Sequence, residues 1–127
     1  MKFTVDKEEK YTIFKLLEEK LDSTKAPQLK SEFVTLQAEG TRNLILDLSD
    51  VRYTDSSGLS AILVGNRTYT ENQGKFVMVG VNDHVMKLIQ ISQLESVLDI
   101  LQNVEEGMDA VLFDEIEKEL NEGENGQ

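Results

Sequence analysis

A run of polar residues, Asp55-Ser56-Ser57, precedes Gly58 and Leu59 and carries the side chains best suited to chemistry in this chain. Aspartate and serine are favoured at helix N-caps, where their oxygens accept hydrogen bonds from the first unpaired amides. The run therefore predicts a helix start. A loop beyond a strand end is also where α/β folds often present functional side chains, and Gly58 would let another backbone approach closely. The residues alone leave both interpretations open.

Catalysis by a serine of this run would require a base within reach of its hydroxyl. The single histidine, His84, falls near a predicted helix start and is expected to be exposed or to cap that helix. The chain has no Gly-x-Ser-x-Gly elbow, no glycine-rich phosphate-binding motif and no cysteine. An aspartate phosphoacceptor of the receiver type needs a pair of acidic residues after the first strand to hold Mg²⁺. The sequence has no such pair in a suitable place, so Asp47 is expected to be structural. We predict that the protein is not an enzyme and uses neither a cofactor nor a metal.

The net charge of −11 is concentrated at the C-terminal end. Residues 104–127 contain nine acidic residues and one basic residue, Lys118, whereas the rest of the chain is close to balanced. A negative net charge disfavours nucleic-acid binding, which requires a basic surface. No segment approaches the roughly 18 apolar residues of a membrane span, and the N-terminus lacks the apolar region of a signal peptide. We expect a cytoplasmic protein with no nucleic-acid or membrane partner.

Alternating strand and helix patterns surround the polar run. Strand patterns, recognised by β-branched, aromatic and continuous apolar residues, lie at 3–5, 11–14, 44–48, 76–79 and 97–101. Helix patterns, recognised by apolar spacing and terminal capping residues, lie at 22–40, 59–74, 82–89 and 108–120. The fourth helix has one apolar stripe, made of Met108, Val111, Leu112, Ile116 and Leu120.

This order of elements predicts an α/β fold. Strands that alternate with helices favour parallel neighbours, and the two adjacent N-terminal strands favour an antiparallel edge. We therefore expect one domain over residues 1–120, with a mixed central sheet of about five strands and about four helices. Residues 121–127 have nothing apolar to bury and are expected to form a disordered acidic tail.

The segment from Leu44 to Leu63, which contains the polar run, resembles the central signature of the STAS domain as found in anti-sigma factor antagonists. The resemblance covers roughly residues 1–115 and includes Leu21-Asp22 and Gly74-Lys75-Phe76. It implies a STAS fold and a phosphorylation switch on Ser56, the first serine after the aspartate. In that family the unphosphorylated antagonist binds a serine kinase that is also the anti-sigma factor, and so frees the sigma factor. Phosphorylation by that kinase ends the binding, and a phosphatase restores it.

The resemblance also implies that residues around Ser56 bind the partner, namely Asp22, Asp55, Ser57, Gly58 and Leu59. Asp55 either orients the Ser56 hydroxyl or caps the helix, and Ser57 is the better N-cap of the two serines. Asp22 matches the family's aspartate and either lies near Ser56 or caps the first helix. Glu19 stands where the family usually has a glycine, which puts the partner-facing shape of this loop in question.

Two other functions are compatible with the sequence. Some STAS domains are subunits of transporter or stress-sensing complexes and do not use the phosphoserine, and the intact Ser56 favours the switch over this role. An enzyme or small-ligand sensor using the same loop is disfavoured by the missing base and the missing phosphate-binding motif. Phosphorylation at a helix N-terminus is locally favourable. We therefore expect the switch to act at the partner surface and not by unfolding the domain.

Overall fold

Strands build the centre of the computed structural model, which describes residues 1–125. In chain order they are β1 (Phe3–Lys7), β2 (Thr12–Leu16), β3 (Lys20–Leu21), β4 (Asn43–Asp47), β5 (Tyr53–Thr54), β6 (Lys75–Val79) and β7 (Asp99–Leu101). Five of them form one sheet in the order β1-β2-β4-β6-β7. The β1–β2 pair is antiparallel and the other three pairs are parallel. The predicted mixed sheet with an antiparallel N-terminal edge is confirmed.

Helices cover both faces of this sheet, and they are α1 (Ala26–Ala38), α2 (Ser56–Glu71), α3 (Asp83–Ile91) and α4 (Val104–Asn125). The first three pack on one face, where the aromatic rings of Phe14, Phe33 and Phe76 lie in the main core. α4 packs on the other face, where Val111 contacts a smaller cluster that includes Ile45. Because both faces are covered, β4 is buried along its whole length, as its continuous apolar pattern predicted.

A second, two-stranded parallel sheet joins β3 to β5, with Leu21 paired to Thr54. The sequence pattern does not reveal this sheet, because a strand of two residues is too short to show an alternation pattern. The Glu19 carbonyl extends the contact by accepting hydrogen bonds from the amides of Arg52 and Tyr53. This small sheet holds the turn before α1 next to the start of α2.

The last helix runs further than the sequence analysis predicted. α4 continues to Asn125, whereas the helix was expected to end near Leu120. The disordered acidic tail expected from residue 121 stays a prediction. Residues 126–127 of that segment lie outside the described residues. Glutamate has good helix propensity, which lets the acidic stretch continue the helix although residues 121–123 are exposed. Within residues 1–125, no helix is both long and apolar enough to cross a membrane.

The apolar residues of α4 lie on two faces and not on the single stripe that was predicted. Val111 is fully buried against the sheet, and Met108 is partly buried beside it. Leu112, Ile116 and Leu120 are 38%, 54% and 64% exposed. Their spacing of four residues keeps these three side chains on one side of the helix. That side faces away from the sheet.

Candidate functional site

Asp55 is the N-cap of α2. Its backbone is extended, with φ −105° and ψ −173°, and its carboxylate accepts a hydrogen bond of 3.0 Å from the Gly58 amide. This bond satisfies one of the donors that a helix start leaves unpaired. Of the two roles considered for Asp55, the structure supports capping. Neither serine is the cap, contrary to the expectation for Ser57, because Ser56 and Ser57 are already the first two residues of the helix.

Gly58 and Leu59 anchor the start of α2 in the protein interior. A Cβ atom added to Gly58 would lie 2.5 Å from the Leu21 carbonyl oxygen and would collide with the Thr54 hydroxyl. That hydroxyl donates a buried hydrogen bond of 2.9 Å to the same carbonyl. Leu59 is only 4% exposed. The close backbone approach expected at Gly58 is therefore made by β3 of the same chain. In this structure Gly58 and Leu59 position the loop, and their expected contact with the partner stays a prediction.

Ser56 is exposed on a surface between two grooves and lines both of them. The groove between α1 and α2 is also lined by Ser23, Ala26, Pro27, Lys30, Ser57 and Ser60. The groove between β5 and α3 is also lined by Tyr53, Thr54, Asp55, His84, Lys87, Leu88 and Ile91. Ser57 is only partly exposed. Of these two adjacent serines, Ser56 is the one that a partner enzyme would reach more easily.

α3 contributes to this surface, which the sequence analysis did not predict. Its first turn carries His84, whose ring centroid lies 5.7 Å from that of Tyr53, and its last residue, Ile91, is 70% exposed. His84 is exposed, as expected. In the part of the chain that the structure describes, no hydrogen bond joins His84 to Ser56, and the Asp55 carboxylate is used in capping. Within residues 1–125, the Ser56 hydroxyl therefore lacks the bonded histidine base of a serine nucleophile.

Positive charge flanks Ser56 on two sides. Lys30 of α1 lines one groove and Lys87 of α3 lines the other. The start of α2 adds the partial positive charge of a helix N-terminus, where the first amides point out of the helix. The surface can therefore accommodate an added negative charge. Among the described residues, no group of three or more histidine, aspartate and glutamate side chains is placed to hold a metal ion.

Asp22 lies in the turn between β3 and α1. Its carboxylate accepts hydrogen bonds from the hydroxyl and the amide of Thr24, and these bonds lower the pKa of the Asp22 carboxyl. α1 begins at Ala26, and Lys25 at its N-cap makes no side-chain capping bond. Asp22 caps the turn that leads into this helix, because its carbonyl also accepts hydrogen bonds from the amides of Lys25 and Ala26. The neighbouring Ser23 lines the groove beside Ser56. The turn thus lies near Ser56, and the Asp22 side chain holds the shape of the turn.

Two other acidic residues considered in the sequence have local contacts. The Asp47 carboxylate is 9% exposed and accepts a hydrogen bond of 2.9 Å from the Ser49 amide, which supports the structural role expected for it. The Glu19 carboxylate lies 3.9 Å from the Arg52 guanidinium nitrogen Nε, and both side chains are largely exposed. Such an exposed pair contributes about 0–1 kcal/mol. The Glu19 side chain therefore adds negative charge to the surface before β3, and only the Glu19 carbonyl helps to fix the structure there.

Comparison with known proteins places this arrangement in a family. The family model for the STAS domain matches residues 2–107, which is more than half of the chain. The chain belongs to the STAS family. An anti-sigma-B factor antagonist of Staphylococcus aureus is 26% identical to it over 85 residues, which make up 67% of this chain and 79% of that protein. The predicted family is confirmed.

Solved structures confirm the STAS fold. An anti-sigma-factor antagonist (STAS) domain protein from Planctomyces limnophilus has a TM-score of 0.77 and 20% identity, over 87% of this chain and 97% of that one. The Bacillus cell fate determinant SpoIIAA in its phosphorylated form has a TM-score of 0.67 and 20% identity, over 87% of this chain and 99% of that one. At these identities the likeness concerns the fold alone. In this STAS domain the signature at 44–63 forms β4, β5 and the start of α2, with Ser56 exposed as the first helical residue.

Proposed function

We propose that this STAS protein is an anti-sigma factor antagonist controlled by phosphorylation of Ser56. Unphosphorylated, it binds a serine kinase that acts as the anti-sigma factor, and this binding releases the sigma factor. Phosphorylated, it leaves the kinase until a serine phosphatase resets it. The exposure of Ser56 at the first position of α2, inside the STAS signature, carries this proposal. The protein then acts in the cytoplasm as a binding module, with no catalytic step of its own.

The start of α2 is suited to carry a phosphate without unfolding. A phosphoserine has a charge of about −1.5 to −2 near neutral pH. At a helix N-terminus such a charge is stabilising by about 0.3–1 kcal/mol in an exposed setting. Lys30 and Lys87 lie on the two sides of Ser56, and the nearby Asp55 carboxylate is already bonded to the Gly58 amide. Phosphorylation of Ser56 therefore leaves the folded state of this protein about as stable as before.

The phosphate acts on the partner and not on the fold. A kinase surface that packs over Ser56 also covers the two grooves that meet there, including the exposed side chains of Tyr53 and Ile91. Closing that contact over a phosphate would remove the charge from water. The desolvation of an ion without a well-placed partner costs several kcal/mol. A surface fitted to the neutral hydroxyl therefore releases the phosphorylated protein. The turn holding Asp22 and the partly exposed Asp55 and Ser57 lie at the border of the same contact.

Phosphate mapping tests the proposal. The protein is incubated with ATP and each serine-kinase anti-sigma factor of the source organism, and the modified residue is identified by mass spectrometry. We expect a single phosphate on Ser56, which disappears in Ser56→Ala. Ser60→Ala is the matched control, because Ser60 is an exposed serine on the same helix and lines one of the same grooves. Its labelling should equal that of the unchanged protein.

Binding measurements separate the switch from other roles. Ser56→Ala should retain kinase binding, and Ser56→Asp should weaken it about tenfold or more, since one desolvated charge is worth at least ~1.4 kcal/mol. Equal binding of the phosphorylated and unphosphorylated protein would refute the switch. If none of these kinases labels or binds the protein, the role of a STAS subunit in a larger complex gains support instead.

A further inference from the structure

The outward face of α4 is apolar. Leu112, Phe113, Ile116 and Leu120, here named the outward stripe, are 38%, 63%, 54% and 64% exposed. They follow one another along about two and a half turns of the helix. Because residues four apart lie on the same side of a helix, the stripe is continuous. Contiguous apolar surface of this kind marks interaction sites on soluble proteins.

The outward stripe is not needed to hold α4 in place. The opposite side of the helix already packs on the sheet, where Val111 is fully buried in a cluster with Ile45 and Val79. The Glu115 carboxylate on that inward side accepts a hydrogen bond of 2.9 Å from the Asn43 side chain and is 8% exposed. One core-facing stripe is sufficient to dock an amphipathic helix. The outward stripe therefore has no structural role within the described chain.

The outward stripe is separate from the Ser56 surface. α4 covers one face of the central sheet, whereas α2, which begins at Ser56, packs on the other face. The match to the STAS family ends at residue 107, before the first residue of the stripe. A partner bound to the stripe would therefore leave Ser56 accessible.

The acidic residues around the outward stripe indicate which kind of partner can bind it. Residues 104–127 contain nine acidic residues and one lysine, Lys118. The Lys118 ammonium is used locally, because it pairs with Asp114 at 3.0 Å and donates a hydrogen bond of 2.6 Å to the Gln73 carbonyl. A second copy of the chain would bring two acidic helices together, and like charges facing each other disfavour that contact. An anionic membrane surface is disfavoured for the same reason.

We propose that the outward stripe docks a cationic amphipathic segment of another protein. The apolar residues of that segment would cover Phe113, Ile116 and Leu120, and its lysines or arginines would face the acidic flanks of α4. Burial of apolar surface supplies affinity, and opposite charges supply orientation and a fast encounter. Amphipathic helices that bind through an apolar face are a common recognition mode. This contact is independent of the state of Ser56.

A model peptide tests the chemistry of this surface with the full chain. The probe is a 14-residue amphipathic peptide of leucine and lysine, and the same peptide with glutamate in place of lysine is its control. We expect the lysine peptide to bind, the glutamate peptide not to bind, and the affinity to fall steeply with added salt. In amide NMR spectra the shifts should cluster on α4 and spare the start of α2.

Variants then locate the site. Phe113→Ser combined with Ile116→Ser should weaken peptide binding about tenfold or more. Val34→Ser is the matched control, because Val34 is 48% exposed on α1 and lies away from α4. Neutralising exposed glutamates by Glu117→Gln with Glu122→Gln should reduce the salt dependence without removing apolar contacts. Circular dichroism spectra of all variants should match, since these side chains are exposed.

Three results would overturn the proposal. The first is binding of the lysine peptide that the stripe variant leaves unchanged. The second is equal binding of the lysine and glutamate peptides, which would remove the charge argument. The third is a concentration-dependent dimer, seen by sedimentation and lost in the Phe113→Ser, Ile116→Ser variant, which would make a second copy the occupant. Ser56→Asp should leave peptide binding unchanged, so failure of this proposal is distinct from failure of the phosphorylation switch.

Discussion

Replacement of Gly58 by alanine tests whether the start of α2 is held against β3 by direct backbone contact. The added Cβ would lie 2.5 Å from the Leu21 carbonyl oxygen and would displace the Thr54 hydroxyl. The carbonyl belongs to the small β3–β5 sheet and has little room to move. The hydroxyl would lose its buried hydrogen bond of 2.9 Å to that carbonyl.

Gly58→Ala changes the free energy of unfolding through contributions of opposite sign, and their magnitudes can be compared. In an unhindered helix, alanine in place of glycine stabilises by about 0.5–1 kcal/mol. Insertion of an extra carbon into a close-packed interior costs about 1–3 kcal/mol, and loss of one internal hydrogen bond costs about 1 kcal/mol more. We therefore expect Gly58→Ala to lower the free energy of unfolding by about 2 kcal/mol. In a chain of this length, that corresponds to a fall of about 7 °C in melting temperature.

Urea unfolding followed by circular dichroism measures this change. Gly123→Ala is the matched control, because a Cβ at Gly123 in α4 meets no atom within 4 Å. That variant should be as stable as the unchanged protein or more stable by up to ~1 kcal/mol. If Gly58→Ala were as stable as the unchanged protein, the loop would be held by something other than the close approach of Gly58 to Leu21.

Three further predictions concern the site and the core. Asp55→Ala should destabilise the protein by about 1 kcal/mol in urea unfolding through loss of the α2 cap, and Asp55→Ser should recover most of that loss. Phosphorylation of Ser56 should leave the melting temperature within about 3 °C of the unmodified value, and a fall of about ten degrees would contradict action at the partner surface. Burial raises the pKa of the Tyr69 phenol, whose hydroxyl donates a hydrogen bond of 3.0 Å to the Phe33 carbonyl. The unfolded chain releases this proton above about pH 10 while the folded chain keeps it, so stability should fall as the pH rises past 10, and less so in Tyr69→Phe.

Local patterns in the sequence were sufficient for the main architecture. The continuous apolar run at 44–48 indicated a strand covered on both faces, and β4 is such a strand. Capping residues at 55–57 indicated a helix start at the place where α2 begins. The family signature added the STAS fold, which is confirmed, and a phosphorylation site at Ser56, which stays a prediction. Periodicity and capping report on neighbours within a few residues, which is why β4 and the start of α2 could be predicted.

Contacts between distant segments were decided only by the folded chain. The neighbour of Gly58 is the Leu21 backbone, 37 positions earlier, because two strands too short to predict form a sheet of their own. His84 and Lys87 reach the groove beside Ser56 because α3 packs on the same face as α2. The apolar residues of α4 belong to two opposite faces because the sheet covers only one side of that helix. A sequence shows that a residue is apolar or can cap a helix, but which surface it meets depends on topology.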